Sequence, residues 1–181
     1  MNCRTSKPGL LIPLVFAWAF SSAQDRPSQG VNWPSFRGAN AIGIAEGYPL
    51  PATWDLERSE NIRWQTAIPG LGLSSPIVWE NRILVSTAIS GQKTEGLKAG
   101  LYGDVRSLED ESVHRWVVYC IDKRTGKILW ERTAHSGVPK IKRHPKSTHA
   151  NSTMATDGKR VVAFFGSQGL YCYDLNGKLL W

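Results

Sequence analysis

Cysteine is scarce in this sequence, and no apolar segment is long. Three of the 181 residues are cysteine, and Cys3 precedes the first apolar run, so only Cys120 and Cys172 remain for a disulfide in the body of the chain. A dense disulfide framework is therefore excluded, and the fold must be stabilised by packing. The longest apolar run, Leu10 to Phe20, has 11 residues, fewer than the roughly 20 that a membrane-spanning helix requires. We expect no transmembrane segment.

Motifs for several kinds of catalysis are also missing. The glycines between residues 90 and 103 lack the spacing and the following Lys-Ser/Thr of a phosphate-binding loop, and no Gly-x-Ser-x-Gly nucleophile motif occurs. His135, His144 and His149 share one linker, but their spacings of nine and five residues do not match a compact metal site. We therefore assign no catalytic residue, no cofactor-binding residue and no metal ligand.

Acidic residues are absent from a basic linker at residues 138–149. This linker holds Lys140, Lys142, Arg143 and Lys146. Such a cluster could meet a phosphate, an anionic glycan or an acidic protein surface, and it could equally be a solvated loop. The formal net charge of +7 identifies no partner by itself.

The N-terminus has the features of an export signal. Arg4 and Lys7 form a basic start, the apolar run follows, and Ser21-Ser22-Ala23 supplies small residues for cleavage. Residues 1–23 are therefore predicted to be a signal peptide, cleaved after Ala23, which places the mature protein in the periplasm or outside the cell. Residues 24–60 are rich in Pro, Gly and Asn with interspersed aromatic residues, and we expect an ordered but irregular lead-in.

The composition of the whole chain is typical of a β protein, because its eight tryptophans, 17 glycines and 10 prolines favour many short strands over long helices. Apolar runs between turn residues predict an isolated strand at 61–68 and then two sets of four strands. The first set is 75–79, 82–88, 115–121 and 127–133, and the second is 152–156, 160–165, 170–173 and 178–181. The run Val161 to Phe165 is apolar at consecutive positions, which predicts a strand covered on both faces. Residues 90–113 are predicted to be a surface insertion.

The two sets of strands are copies of one repeat. Tyr119-Cys120-Ile121-Asp122 aligns with Tyr171-Cys172-Tyr173-Asp174, and Gly126 to Trp130 aligns with Gly177 to Trp181, at a spacing of 51 to 52 residues. A four-stranded sheet has two faces and buries both only between neighbouring sheets, so this repetition predicts an all-β fold, a β-propeller of four-stranded antiparallel blades. The blades span about residues 74–133 and 150–181. Cys120 and Cys172 fall at equivalent positions, where they are either bridged or, as we expect, two free buried thiols.

The segment Asp122-Lys123-Arg124-Thr125-Gly126-Lys127-Ile128-Leu129-Trp130 resembles the repeat signature of the PQQ-like (pyrroloquinoline-quinone repeat) β-propeller family, and Asp174 to Trp181 matches it less fully. The likeness covers about residues 31–181. It implies that tryptophans dock the blades, that Ile62-Arg63-Trp64 ends a closing strand, and that Asp and Gly set the turns and have no catalytic role. The structural residues expected from it are Trp64, Trp130, Trp181, Asp122, Gly126, Asp174 and Gly177.

A closing strand and two blades cannot form the ring of roughly 4 to 8 blades that propellers use. We therefore expect the chain to be a fragment that requires further blades to close its ring, and the alternative is assembly with other chains.

The family resemblance implies two kinds of function. Exported bacterial members that resemble outer-membrane assembly scaffolds bind other proteins, whereas quinoprotein dehydrogenases oxidise alcohols or sugars with PQQ beside a calcium ion and two adjacent cysteines. No adjacent cysteine pair occurs here, so we expect a non-catalytic scaffold whose partners are other proteins, envelope proteins among them, and not nucleic acid. Two alternatives stay open. One is a dehydrogenase whose active-site residues lie in missing blades, and the other is a protein that binds a polyanion or glycan through the linker 138–149.

Overall fold

The computed structural model describes residues 32–46, 48–93, 96–98, 100, 102 and 105–181. The expected signal peptide and its cleavage site after Ala23 lie outside these residues. Residues 32–46 and 48–60 are largely irregular, with a 3-10 turn at Ala39–Ala41. An isolated bridge between Trp33 and Val78 joins this lead-in to the first sheet through two backbone hydrogen bonds of 2.7 and 2.9 Å.

Within the described residues, seven strands form two antiparallel sheets. They are β1 (Ile77–Trp79), β2 (Arg82–Ser90), β3 (His114–Asp122), β4 (Ile128–Gly137), β5 (Ala155–Thr156), β6 (Arg160–Phe164) and β7 (Leu170–Asp174). The first sheet has the order β1-β2-β3-β4 and the second has the order β5-β6-β7. Strands adjacent in space are also adjacent in sequence, which is the arrangement of propeller blades. The described residues are therefore all-β apart from two 3-10 turns, and they form two blade-like sheets that do not close a ring.

Aspartate and glycine set the hairpin turns. In the turn between β3 and β4, Asp122 Oδ1 accepts a hydrogen bond of 2.8 Å from the backbone N–H of Thr125, and Gly126 follows with a φ of 73°. In the turn after β7, Asp174 Oδ1 accepts two backbone N–H groups, and Gly177 has a φ of 80°. A side chain that caps its own turn, with a glycine in the left-handed region, explains why the chain reverses at both places.

The core lies between the two sheets. Trp116, in β3, is fully buried, and its Nε1 donates to the backbone oxygen of His149 (3.0 Å). A buried tryptophan removes about 200 Å² from water, which makes it a major source of packing energy. The other core residues come from both sheets: Ile77, Leu84, Val118 and Cys120 from the first, and Met154, Val161, Ala163, Phe165 and Tyr173 from the second blade. This shared core holds the two blades face to face.

Three elements differ from the sequence prediction. Residues 61–68 form no strand, because no neighbouring strand among the described residues pairs with them. Residues 178–181 contact β7 through one isolated bridge and three backbone hydrogen bonds but form no regular strand, so the second sheet has three strands instead of four. The run 161–165 is not covered on both faces. Phe164 is 49% exposed beside its cross-strand partner Leu170, because the described residues leave that face half open to solvent.

Candidate functional site

The two ends of the sheets carry different connections. At one end, tight turns join β1 to β2, β3 to β4 and β5 to β6. At the other end, Ser90, His114 and Gly137 lie side by side in register, and two long connections start from them, residues 91–113 and 138–154. Loops held by a rigid sheet are the usual place for binding residues. We call this second end the loop end.

The two long connections contact each other at the loop end. The backbone N–H of Leu108 donates to the backbone oxygen of Arg143 (3.0 Å), and a second backbone hydrogen bond of 3.1 Å links the same two connections. Glu109 and Lys142 form an exposed ion pair, with 2.5 Å between Oε2 and Nζ. An exposed ion pair adds little stability. The two backbone hydrogen bonds therefore contribute most to holding the two connections together. The surface insertion and the basic linker therefore form one continuous surface.

Asp110 ties the longer connection to the strands. Its carboxylate accepts hydrogen bonds from the hydroxyls of Ser112 (2.6 Å) and Ser90 (3.0 Å) and from the side-chain amide of Gln92 (2.9 Å). It also lies 3.5 Å from Nε2 of His114. Burial by itself would raise the pKa of Asp110, but the hydrogen bonds from both serines and the nearby imidazole hold that pKa below its ordinary value. The carboxylate is therefore ionised at neutral pH and accepts every one of these hydrogen bonds.

A pocket of about 280 Å³ opens at the loop end, between these connections and the first sheet. Its lining includes His114, Arg143 and His149 together with the apolar side chains of Leu71 and Ala88. Arg143 is only 6% exposed, and the rings of the two histidines meet edge to face with their centroids 5.2 Å apart. A few polar groups beside an apolar wall are typical of a pocket that orients a small ligand.

His149 is neutral in this pocket at pH 7. Burial, followed by the charges of His114 and Arg143, lowers the pKa of His149 to about 4. The residue is fixed in place because its backbone oxygen accepts the indole N–H of Trp116. The sequence identified His149 only as one of three linker histidines whose spacing does not match a compact metal site. Its position beside His114 and Arg143 depends on how two distant connections fold together.

The four basic residues of the linker do not share one solvent-facing surface. Lys140, Lys142 and Lys146 are exposed. Lys142 forms the ion pair described above, and Nζ of Lys146 lies 5.5 Å from the centroid of the Tyr102 ring. Arg143 instead turns inward and lines the pocket. The structure thus divides the cluster into three surface lysines and one buried guanidinium.

Two of the three tryptophans named for blade docking lie over glycine turns. The indole of Trp64 packs against Gly126, and a Cβ added to Gly126 would lie 2.6 Å from carbons of that ring. Nε1 of Trp64 also donates to a backbone oxygen of the same turn (2.9 Å). Trp130 covers Gly177 in the same way, with a Cβ distance of 2.8 Å and a hydrogen bond of 3.1 Å from Nε1 to that turn. At both positions only glycine leaves room for the indole. Trp181, the third, is 59% exposed.

Sequence reasoning missed one further pair of this kind. Trp79, the last residue of β1, covers Gly158 in the turn between β5 and β6. Gly158 has a φ of 84°, and Asp157 caps this turn through two backbone N–H groups. The turn between the strands predicted at 152–156 and 160–165 was indicated correctly, but Trp79 lies outside the segments that align between the two copies, so the sequence did not connect the two residues.

The described residues do not fit PQQ with calcium. Cys120 and Cys172 lie in separate blades and are both free and buried, as expected from the sequence. Burial raises the pKa of Cys120 to about 11, which makes it a poor nucleophile. In the part of the chain that the structure describes, no three carboxylate, imidazole or thiol side chains are placed to hold a metal ion. The donor set that the cofactor requires is therefore not assembled by these residues.

Two antiparallel sheets with strands in sequence order, and tryptophans that cover glycine turns of neighbouring segments, define the chain as a β-propeller repeat protein. A family model described as outer membrane protein assembly factor BamB matches residues 17–181, and the chain belongs to this family of PQQ-like repeats. A search of curated proteins gave no match to the chain. Within the described ranges, no helix has the length and apolarity that crossing a membrane requires.

Proposed function

We propose that this protein is an exported, non-catalytic scaffold that binds other proteins, envelope proteins among them, through its loop end. The observation that carries the proposal is the joining of two long connections by backbone hydrogen bonds, from Leu108 to Arg143 and from Lys98 to Pro145. A surface that is already ordered loses little conformational freedom when a partner binds, which favours affinity. The description of the matching family, an outer membrane protein assembly factor, supports the same role.

The exposed groups of this surface suit a protein partner. Tyr102 is 92% exposed, and the apolar side chains of Leu97 and Ile141 are also exposed. They lie in the two connections that carry the surface lysines. Aromatic side chains are enriched at contacts between proteins, where a polar rim surrounds them. Export to the periplasm or the exterior, with cleavage after Ala23, belongs to the same proposal because the N-terminal sequence has the pattern of a signal peptide.

Site-specific photo-crosslinking in the native host tests the scaffold proposal. A photoreactive amino acid replaces Tyr102 in one variant and Lys159 in a control variant. Lys159 is also exposed, but it lies in the turn between β5 and β6, at the opposite end of the sheets. We expect discrete protein adducts from position 102 and none from position 159. Equal adducts from both positions, or none from position 102, would contradict binding through the loop end.

A cofactor titration separates the scaffold from a quinoprotein dehydrogenase. The full chain is titrated with PQQ and calcium and then assayed for dye-linked oxidation of alcohols and sugars. The scaffold proposal predicts neither saturable binding nor turnover, and observing both would overturn its non-catalytic part.

Polyanion binding is tested by replacing Lys140, Lys142, Arg143 and Lys146 with Gln. If the linker binds an anionic glycan, these changes and high salt both abolish the binding. Binding that survives both would exclude the linker as the site.

A further inference from the structure

A second pocket, of about 120 Å³, lies beside the pocket at the loop end, and Thr148 and His149 line both. It opens between the connection 138–154 and the short turn from β6 to β7, which contributes Gln168. We call it the Gln168 pocket. None of the described residues that line it is Asp, Glu, Lys or Arg, and His149 is neutral at pH 7 because its pKa is about 4. A charged ligand would find no counter-charge among these residues, so the lining favours a neutral ligand.

Gln168 has a hydrogen bond left to make. The residue is only 6% exposed, and its Nε2 donates to Oγ of Ser167 (3.2 Å). Its Oε1 is buried and accepts no hydrogen bond from any described residue. If the amide turns by 180°, the nitrogen takes this position instead and lacks an acceptor. A buried amide atom without a partner is costly, and in native proteins such an atom is usually satisfied by a water or a ligand.

Other polar groups of the pocket are paired with each other and fix its walls. Oδ1 of Asn151 accepts hydrogen bonds from the backbone N–H (3.0 Å) and the hydroxyl (2.8 Å) of Thr148. On the other side, the backbone oxygen of Gln168 accepts the hydroxyl of Tyr171 (2.8 Å), and its backbone N–H donates to the oxygen of Phe165 (3.1 Å). A ligand would therefore have little to order when it binds, which favours affinity.

The apolar part of the lining comes from Phe164, Phe165 and Ile141. Phe164 is 49% exposed and Ile141 is 61% exposed, so an apolar group placed against them would remove surface from water. The pocket volume of about 120 Å³ exceeds the roughly 30 Å³ that one water takes in the liquid. The pocket therefore has room for a group of several atoms.

We propose that the Gln168 pocket binds a neutral carboxamide, whose N–H donates to Oε1 of Gln168 and whose apolar part lies against Phe164 and Ile141. A carboxamide carries both an N–H donor and a C=O acceptor, so it satisfies either orientation of the Gln168 side chain. It belongs either to a small free amide or to an asparagine or glutamine side chain of a bound protein. The inference goes beyond the scaffold role and does not depend on it, because it requires only this pocket.

Nuclear magnetic resonance of the full chain at pH 7 tests the proposal with acetamide, acetone and acetate. The three probes have equal numbers of non-hydrogen atoms and differ only in an NH₂, CH₃ or O⁻ group. Acetamide should shift the side-chain amide signals of Gln168 saturably. Acetone lacks the N–H and should bind about tenfold more weakly, and acetate should also bind more weakly because its charge finds no counter-charge. Equal binding of acetamide and acetone, tighter binding of acetate, or no saturable response to acetamide would overturn the proposal.

A variant of Gln168 tests the hydrogen bond itself, with the ring signals of His149 as the report of binding. Gln168→Met keeps the length of the side chain but removes both polar atoms. It should weaken binding of acetamide by about tenfold and leave binding of acetone unchanged, a difference that a purely structural role would not produce. Gln65→Met makes the same change at an exposed position outside the pocket and should leave both unchanged. Unchanged binding of acetamide in folded Gln168→Met would overturn the proposal, and if that variant does not fold, the comparison of acetamide with acetone in the wild type decides.

A final comparison identifies the source of the carboxamide. Acetyl-Asn-methylamide carries it on a peptide backbone, and acetyl-Ala-methylamide has the backbone alone. Tighter binding of the asparagine compound than of acetamide supports a protein side chain as ligand, whereas tighter or equal binding of acetamide supports a small amide. Equal binding of the asparagine and alanine compounds would overturn the proposal, because the backbone would then be the ligand. Either result would leave the crosslinking at position 102 unaffected.

Discussion

Replacing Gly126 with alanine tests whether a tryptophan over a glycine turn docks residues 61–68 to the first blade. Gly126 has a φ of 73°, and an L-residue in this region costs about 1–2 kcal/mol. The lower entropy of the unfolded chain offsets about 0.4–1 kcal/mol of that cost. The new Cβ would also lie 2.6 Å from the ring of Trp64 and 2.9 Å from Oγ1 of Thr66, so the indole must move, which costs about 1–3 kcal/mol in a packed site. We expect a total loss of about 1–5 kcal/mol.

Gly166→Ala is the matched control. Gly166 has a φ of 59°, but a Cβ there would meet no atom within 4 Å, so only the backbone cost applies. Urea unfolding followed by circular dichroism measures both losses, and Trp64→Ala completes a double-mutant cycle. Without the indole, the cost of Gly126→Ala should fall towards that of Gly166→Ala, because only the contact with Oγ1 of Thr66 remains. Equal losses for the two glycine variants in the wild-type background, or an undiminished loss in the Trp64→Ala background, would refute the contact.

Three other predictions concern the loop end and the buried thiols. The pKa of His149 is about 4 in the folded chain against 6.5 for the free side chain, so the unfolded chain takes up the proton first as the pH falls. Stability should therefore decrease between pH 6.5 and pH 4 by up to about 3 kcal/mol, and His149→Gln should reduce that slope in urea unfolding; an equal slope in the variant would contradict the assignment. Burial raises the pKa of both Cys120 and Cys172, so a thiol reagent should label them only after unfolding, and rapid labelling of the native chain would contradict their burial. Asp110→Asn should speed hydrogen exchange of residues 105–113 and cost about 1–3 kcal/mol, whereas Glu109→Gln should cost less than about 1 kcal/mol; equal costs would mean that Asp110 does not tie the connection to the strands.

The elements that the sequence predicted correctly have local causes. An aspartate that caps its own turn and a glycine with positive φ are both visible as residue types at fixed spacing, which is why the turns at Asp122 and Asp174 were predictable. The strands around them follow from apolar runs bounded by those turns. The repeat then predicted two blades, because two similar sheets can bury their facing surfaces against each other.

The pocket was not predictable, because its residues come together only through irregular connections. His114 and His149 both line the pocket but lie 35 positions apart in the sequence, and no periodicity relates them. Arg143 has basic neighbours, which favour an exposed residue, yet it is buried at the place where the two connections meet. The strand predicted at 61–68 failed for a related reason, since a strand needs a partner that its own sequence does not specify.

The difference between the two blades indicates where function resides. The tight turns and the tryptophans that cover them recur from one blade to the next, and the packing of the blades already explains their sequence. The connection between β2 and β3 spans residues 91–113, whereas the equivalent connection between β6 and β7 spans only residues 165–169. A short turn is enough to join two such strands, so the stability of the first blade does not require the longer connection. The fold therefore does not explain why this connection contacts the basic linker, or why a pocket lies between them. A role in binding would explain both features.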